Sequence, residues 1–144
     1  MVIAAPSATT YNIDQIAETY PESEQVEIKS QSDVLKGEAL FLRALFYSEL
    51  CRNYGGVPLI DNPFNLGDDY LGITRGTFEE TINFILEDCN DAAELLKVKS
   101  EMELGRATKE AALALKSRML LFAASDLVAD GTVDNELVAY QNPD

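Results

Sequence analysis

Residues 31–59 read QSDVLKGEALFLRALFYSELCRNYGGVPL, and the fold turns on this stretch. Leu35, Ala39, Leu42, Phe46 and Leu50 recur at steps of three and four, the spacing of one helix face. Phe41, Ala44, Leu45 and Cys51 add a second apolar strip. A helix that is apolar on two sides is usually sandwiched between neighbours. Ser30 with Asp33 resembles a capping box, so the pattern predicts a helix over 31–54. Gly55-Gly56 then stops it, because glycine accepts the backbone turn at a helix C-terminus.

Downstream, residues 55–76 form a connection carrying Gly55, Gly56, Gly67, Gly72, Gly76, Pro58 and Pro63. A link of that length is uncommon inside a compact domain unless it has a task. Thr77-Phe78-Glu79-Glu80 fits a Thr-x-x-Glu capping box and opens a second helix. Phe78, Ile82, Ile85, Leu86, Cys89, Ala93 and Leu96 make its stripe, and the acids between them predict a half-exposed helix. Thr108 is the expected cap of a third helix. Ala111, Ala112, Ala114 and Ala124 allow close approach there, which predicts a central position for it. Upstream, Ile13, Ile16, Ala17 and Tyr20 could form a short helix stopped by Pro21. No run of four or more residues alternates as a strand would. The expected fold is all-α: tetratricopeptide-like stacked antiparallel helix hairpins, with a long loop between the first two strong helices. The organisation expected is one helical domain over 1–144. Within it, 1–30 is weakly ordered, 31–128 is the helical core and 129–144 is the cut-short start of a further helix.

Composition narrows function. Asp and Glu number 25 against 11 Lys and Arg, for a net charge of −14. Nucleic acid and anionic membranes would repel such a surface, so no nucleic-acid partner is expected. There is no histidine, which removes Ser-His-Asp and Cys-His catalysis. Two cysteines without histidine exclude the common zinc sites, and buried free thiols are the expected state of Cys51 and Cys89. The segment Asp126 to Gly131 imitates part of a calcium loop, but Val128 and Leu137 stand where oxygen ligands are needed. Neighbouring acids such as Asp68-Asp69 and Glu79-Glu80 arise readily on an acidic surface and carry no glycosidase signal of their own. No cofactor, metal or catalytic residue is expected.

One stretch has the character of a binding site, the loop 61–72. Phe64 and Tyr70 could offer flat apolar faces, and Asn65 with Asn62, Asp68 and Asp69 could bond hydroxyl groups. Sugars require that mixture. The alternative reading tucks both rings onto the helices. Phe64, Asn65 and Tyr70 are therefore the candidate ligand contacts.

Three motifs, in order, resemble the SusD/RagB family. The first is Gly37-Glu38-Ala39-Leu40-Phe41-Leu42-Arg43-Ala44, followed by Tyr54-Gly55-Gly56-Val57-Pro58-Leu59; Leu40 stands where the family has arginine. The second is Arg75 and then a helix ending in Asp88, Ala92 and Leu95-Leu96, with Lys97 where proline often follows. The third is Gly105-Arg106-Ala107-Thr108-Lys109 through Lys116 and Arg118, with Asp126 in place of a later proline. The resemblance implies a non-enzymatic protein, lipid-anchored on the outer membrane of Bacteroidetes and facing outward. It implies binding of oligosaccharides or other nutrients, as a lid on a SusC-like TonB-dependent transporter. It also implies tetratricopeptide-like hairpins. Cys51 lies too late in a helix to be the lipid anchor, so signal peptide and anchor cysteine are expected outside this chain. The chain is expected to be an N-terminal portion, mainly helical scaffold, that binds glycans weakly or not at all by itself. The alternative is a protein–protein interaction scaffold of tetratricopeptide type. The motif residues look structural, so none is carried over as a ligand contact. Arg106, at the start of a helix where the dipole disfavours a cation, is expected to be partly buried and bonded to a compensating partner, either a carboxylate (Glu101, Glu103 or one of the 77–97 helix) or carbonyls of an adjacent helix end, pinning one hairpin against the next.

Overall fold

A computed structural model describes residues 17–62, 64, 67, 70–129 and 137. Among the described residues four helices follow one another: α1 (Glu22–Tyr54), α2 (Phe78–Leu95), α3 (Lys109–Ala123) and the single turn α4 (Asp126–Ala129). Short 3-10 turns stand at Ala17–Thr19 and Lys99–Glu101. Among the described residues there is no strand. The chain is thus all-α, in the stacked-hairpin arrangement read from the sequence.

Paired contacts give the directions of the helices. Gly37, near the start of α1's packed portion, lies against Leu95 and Leu96 at the end of α2, while Arg43 meets Asp88. Phe78 at the start of α2 meets Phe122 at the end of α3, and Asn90 meets Lys116. α2 therefore runs antiparallel to α1, and α3 antiparallel to α2.

α1 is 33 residues long, close to 50 Å at 1.5 Å per residue. It starts at Glu22, well before the expected 31, and Ser30 lies inside it rather than capping it. The reason is electrostatic and local. Pro21 stands just outside the first turn, where its missing N–H costs nothing, and Glu22 and Glu24 complement the helix dipole. No apolar stripe marks this extension, and Val26 is 81% exposed. The two apolar strips of α1 also separate in the structure. Ala44 and Cys51 are buried with Val34, Leu40 and Tyr47, whereas Leu35, Leu42 and Phe46 of the other strip stay nearly half exposed.

The central helix is α2, not α3. α2 packs on both neighbours, and α1 and α3 barely touch. Phe78, Thr81, Ile82, Ile85, Asp88, Cys89, Ala92 and Ala93 are all buried, whereas α3 buries Ala112, Leu115 and Met119. Small residues permit close approach but do not supply the area that drives it; Phe78, Ile82 and Ile85 each contribute roughly 1.5–3 kcal/mol by burial. Leu40, the departure from the family pattern, sits in a second cluster with Val34, Ala92, Ala93, Leu96 and Ala112.

The helix ends follow local chemistry. The Thr77 hydroxyl accepts from the Glu80 N–H at 3.1 Å, and the Glu80 carboxylate accepts from the Thr77 N–H at 2.7 Å. The Thr108 hydroxyl accepts from the Ala111 N–H at 3.3 Å. The Gly55 N–H donates to the Cys51 carbonyl with φ at 73°, as the glycine stop requires.

Cys51 and Cys89 are free and buried. Burial pushes both thiols up to about 11. In the unfolded chain they ionise near 8.5. Over that window the unfolded chain holds fewer protons than the folded one, so stability is whole below about pH 8.5 and falls as pH rises towards 11. A thiol reagent at pH 8 is expected to leave the native protein unlabelled and to label both sites on unfolding. The Cys51→Ala/Cys89→Ala variant should show a shallower alkaline decline than the parent; equal declines would mean that the thiols contribute nothing to it.

Candidate functional site

The connection between α1 and α2 is pinned at both ends. At its start, the Val57 N–H donates to the Thr81 hydroxyl at 3.2 Å and the Gly56 N–H to the Leu137 carbonyl at 2.6 Å. At its end, Arg75 donates through Nε to the Gly56 carbonyl at 2.8 Å and through Nη2 to the Tyr54 carbonyl at 2.6 Å. The Gly76 N–H closes the neck on the Val57 carbonyl at 3.1 Å. Backbone polar groups without a helix to satisfy them are thus matched across the base of the loop.

Phe64 and Tyr70 stand beyond this neck. They meet ring to ring, edge to face, with centroids 5.1 Å apart and an interplanar angle of 71°. They are 38% and 51% exposed, so neither is tucked fully onto the helices. Asn62 and Asp61 nearby are exposed and bonded to each other at 2.9 Å. Asn65, the third candidate contact, lies outside the described residues, as do Asp68 and Asp69.

The family-like motif residues have other tasks. Arg43 makes a two-pronged contact with Asp88, at 2.7 and 2.5 Å, between α1 and α2. Their side chains are only 11% and 4% exposed. The guanidinium also lies 4.7 Å from the centre of the Phe84 ring. Burial raises the Asp88 carboxyl above its ordinary range against the pull of Arg43. Both residues stand in the family-like motifs, where nothing in the sequence pairs them. The signal was a cation set among Phe41, Leu42, Ala44 and Leu45, where a charge needs a partner.

Arg106 is held chiefly by a carboxylate outside those expected, and more loosely by Glu103, which was among them. It holds Glu38 of α1 by two bonds of 2.6 Å, while Glu103 is 3.9 Å away. Its side chain is 37% exposed. The bridge ties the start of α3 to α1, which α3 otherwise scarcely meets. On one side of it lies an open groove lined by Glu38, Phe41, Leu42, Ala107 and Ala111, close to 460 Å³. Arg106→Ala should lower the melting temperature more than Lys109→Ala; equal decreases would show that the bridge holds nothing.

Among the described residues no cluster of three or more His, Cys, Asp or Glu could hold a metal ion. No helix among them is long and apolar enough to cross a membrane. The described residues form a stack of helix hairpins whose α1–α2 loop presents two exposed aromatic rings.

Comparison with known proteins places it more closely. Residues 8–121 match the SusD-like 3 family, described as starch-binding and associating with the outer membrane. The chain belongs to that SusD-like family. Among solved structures, a SusD-like protein of Bacteroides fragilis is 44% identical, with a TM-score of 0.58 over 65% of this chain and 18% of its own. A SusD-like carbohydrate-binding protein of Bacteroides fragilis is 29% identical, with a TM-score of 0.58 over 64% of this chain and 18% of its own. A third structure, described as being with xylogluco-oligosaccharide, is 23% identical, with a TM-score of 0.50 over 80% of this chain and 21% of its own. The chain thus spans about a fifth of the length of these structures. No curated protein matches it.

Proposed function

We propose that the protein binds oligosaccharides without altering them, at the outward face of the outer membrane, for uptake with a SusC-like TonB-dependent transporter. A lipid anchor would hold it there. The part described here is mainly the helical scaffold, and Phe64, Asn65 and Tyr70 are the contacts it contributes. The observation that carries this reading is the match to a starch-binding family along most of the chain. The exposed Phe64–Tyr70 pair supports the location, since a sugar ring packs its C–H face on an aromatic ring and bonds its hydroxyls to polar neighbours.

One aromatic pair is a small contact, so affinity of the chain by itself is expected at about 1 mM or weaker, on the order of −4 kcal/mol. Titration calorimetry with malto- and xylogluco-oligosaccharides tests this. Micromolar binding lost in Tyr70→Ala would make the loop the whole platform rather than a part of it. Release of reducing ends from either glycan by the purified protein would overturn the non-catalytic reading.

A further inference from the structure

Tyr47 lies on α1, outside the loop, and is 8% exposed. Its hydroxyl donates to the Pro58 carbonyl at 3.1 Å and accepts from the Ile60 N–H at 2.9 Å. One hydroxyl therefore fixes three consecutive residues, 58 to 60, on the outgoing limb of the loop. The ring itself cannot easily swing. It lies 4.9 Å from Phe84 at a 60° tilt, and Phe84 in turn packs on the core and meets the guanidinium of Arg43, which Asp88 holds by two bonds. A hydroxyl on a packed, immobile ring is a fixed point.

Phe64 comes four residues after Ile60, within about 14 Å of it even in a fully extended chain. Tyr70 is tied on the returning limb, where its carbonyl accepts from the Ile73 N–H at 3.3 Å, shortly before the Arg75 anchorage. From these contacts we infer that Tyr47 is the positioning residue of the Phe64–Tyr70 pair: its hydroxyl holds the outgoing limb so that Phe64 meets Tyr70 before any ligand arrives. The inference rests on the sugar-binding reading of that pair for its purpose, though not for its geometry. Holding a contact surface in its bound form removes an ordering cost from binding, and a residue whose own rotamer is locked by packing can do that.

Tyr47→Phe is the test, because it keeps the ring and removes only the hydroxyl. Amide exchange followed by NMR should show the Ile60 N–H about tenfold faster, the effect of losing one hydrogen bond. Amides at Ala44, Ile85 and Met119 should keep the parent's rates, and the ring-to-ring NOE between Phe64 and Tyr70 should weaken. An unchanged Ile60 rate with an unchanged NOE would overturn the inference. So would equal acceleration of all these amides, which would mark Tyr47 as a general packing residue. Tyr70→Ala serves as the second variant: it should abolish the response to xylogluco-oligosaccharide and leave Ile60 exchange untouched. If the parent protein responds to neither xylogluco- nor malto-oligosaccharide, the sugar reading falls, and Ile60 exchange with the NOE still decides the role of Tyr47.

Discussion

Asp88→Ala is expected to destabilise the protein by about 3–5 kcal/mol, measured by denaturant unfolding. Domains of this size have only about 5–15 kcal/mol in all. The change would leave the Arg43 guanidinium in a site where its side chain is 11% exposed, with the Phe84 ring and the Asp61 charge as what remains to offset it. The cost is that of a stranded charge and not the worth of the pair. Burial opposes ionisation at both ends: it raises Asp88 and works against the charged form of Arg43, whose hydrogen bonds to Asp88 offset it. An apolar pair of similar volume has no such opposition to overcome. Arg43→Met/Asp88→Val is therefore expected to recover most of the loss, ending within about 2 kcal/mol of the parent. A cost below about 1 kcal/mol for Asp88→Ala would mean that water reaches the pair.

Gly56→Ala should cost about 3 kcal/mol or more, beyond the ordinary range for an overfilled site. A Cβ at that position would stand 2.1 Å from the Gly76 carbonyl oxygen and 2.7 Å from the Thr77 carbonyl carbon. Both obstacles are backbone, which no rotamer change can clear. The loop neck would have to open, and with it the Gly76–Val57 bond and the Arg75 contact with the Gly56 carbonyl. Gly37→Ala is a useful contrast, since its new methyl would meet the Leu95 and Leu96 side chains at 3.0 Å. The Leu96 side chain can yield by a few tenths of an ångström and the Leu95 Cβ, fixed to its backbone, less, so the loss expected there is real but smaller than at Gly56. If the two variants are equally stable, the neck is not held closed by that approach.

The parts of the fold legible in the sequence are those written by near neighbours. Thr77 and Glu80 lie three residues apart and cap each other; Thr108 caps α3; Gly55 ends α1. Each boundary could be read because its chemistry lies within one turn. The N-terminal extension of α1 could not, because Glu22 to Ser30 is held by dipole and propensity without a buried stripe. Which helix lies centrally could not be read either. Alanine-rich α3 and apolar α2 both permit close packing, and the choice belongs to the summed burial of Phe78, Ile82, Ile85 and Cys89 against both neighbours. Arg106 showed its need for an acid, but Glu38, 68 residues away, could be found only once α1 and α3 were in place. The same holds for Arg43 with Asp88. At the candidate site, Phe64 and Tyr70 were visible as aromatics among polar loop residues. Tyr47 stood in neither apolar strip read from the sequence, and its part is seen only once its hydroxyl meets the loop.

The claim that the motifs fasten the helices while the loop meets the sugar has one direct test. Xylogluco- and malto-oligosaccharides are titrated into the protein while its aromatic side-chain signals are followed by NMR. The account predicts concentration-dependent shifts in the Phe64 and Tyr70 rings for at least one glycan, with Phe41, Phe84 and Phe122 unmoved. Shifts centred on Phe41, in the groove beside Glu38 and Arg106, would contradict it, as would silence at Phe64 and Tyr70 with both glycans.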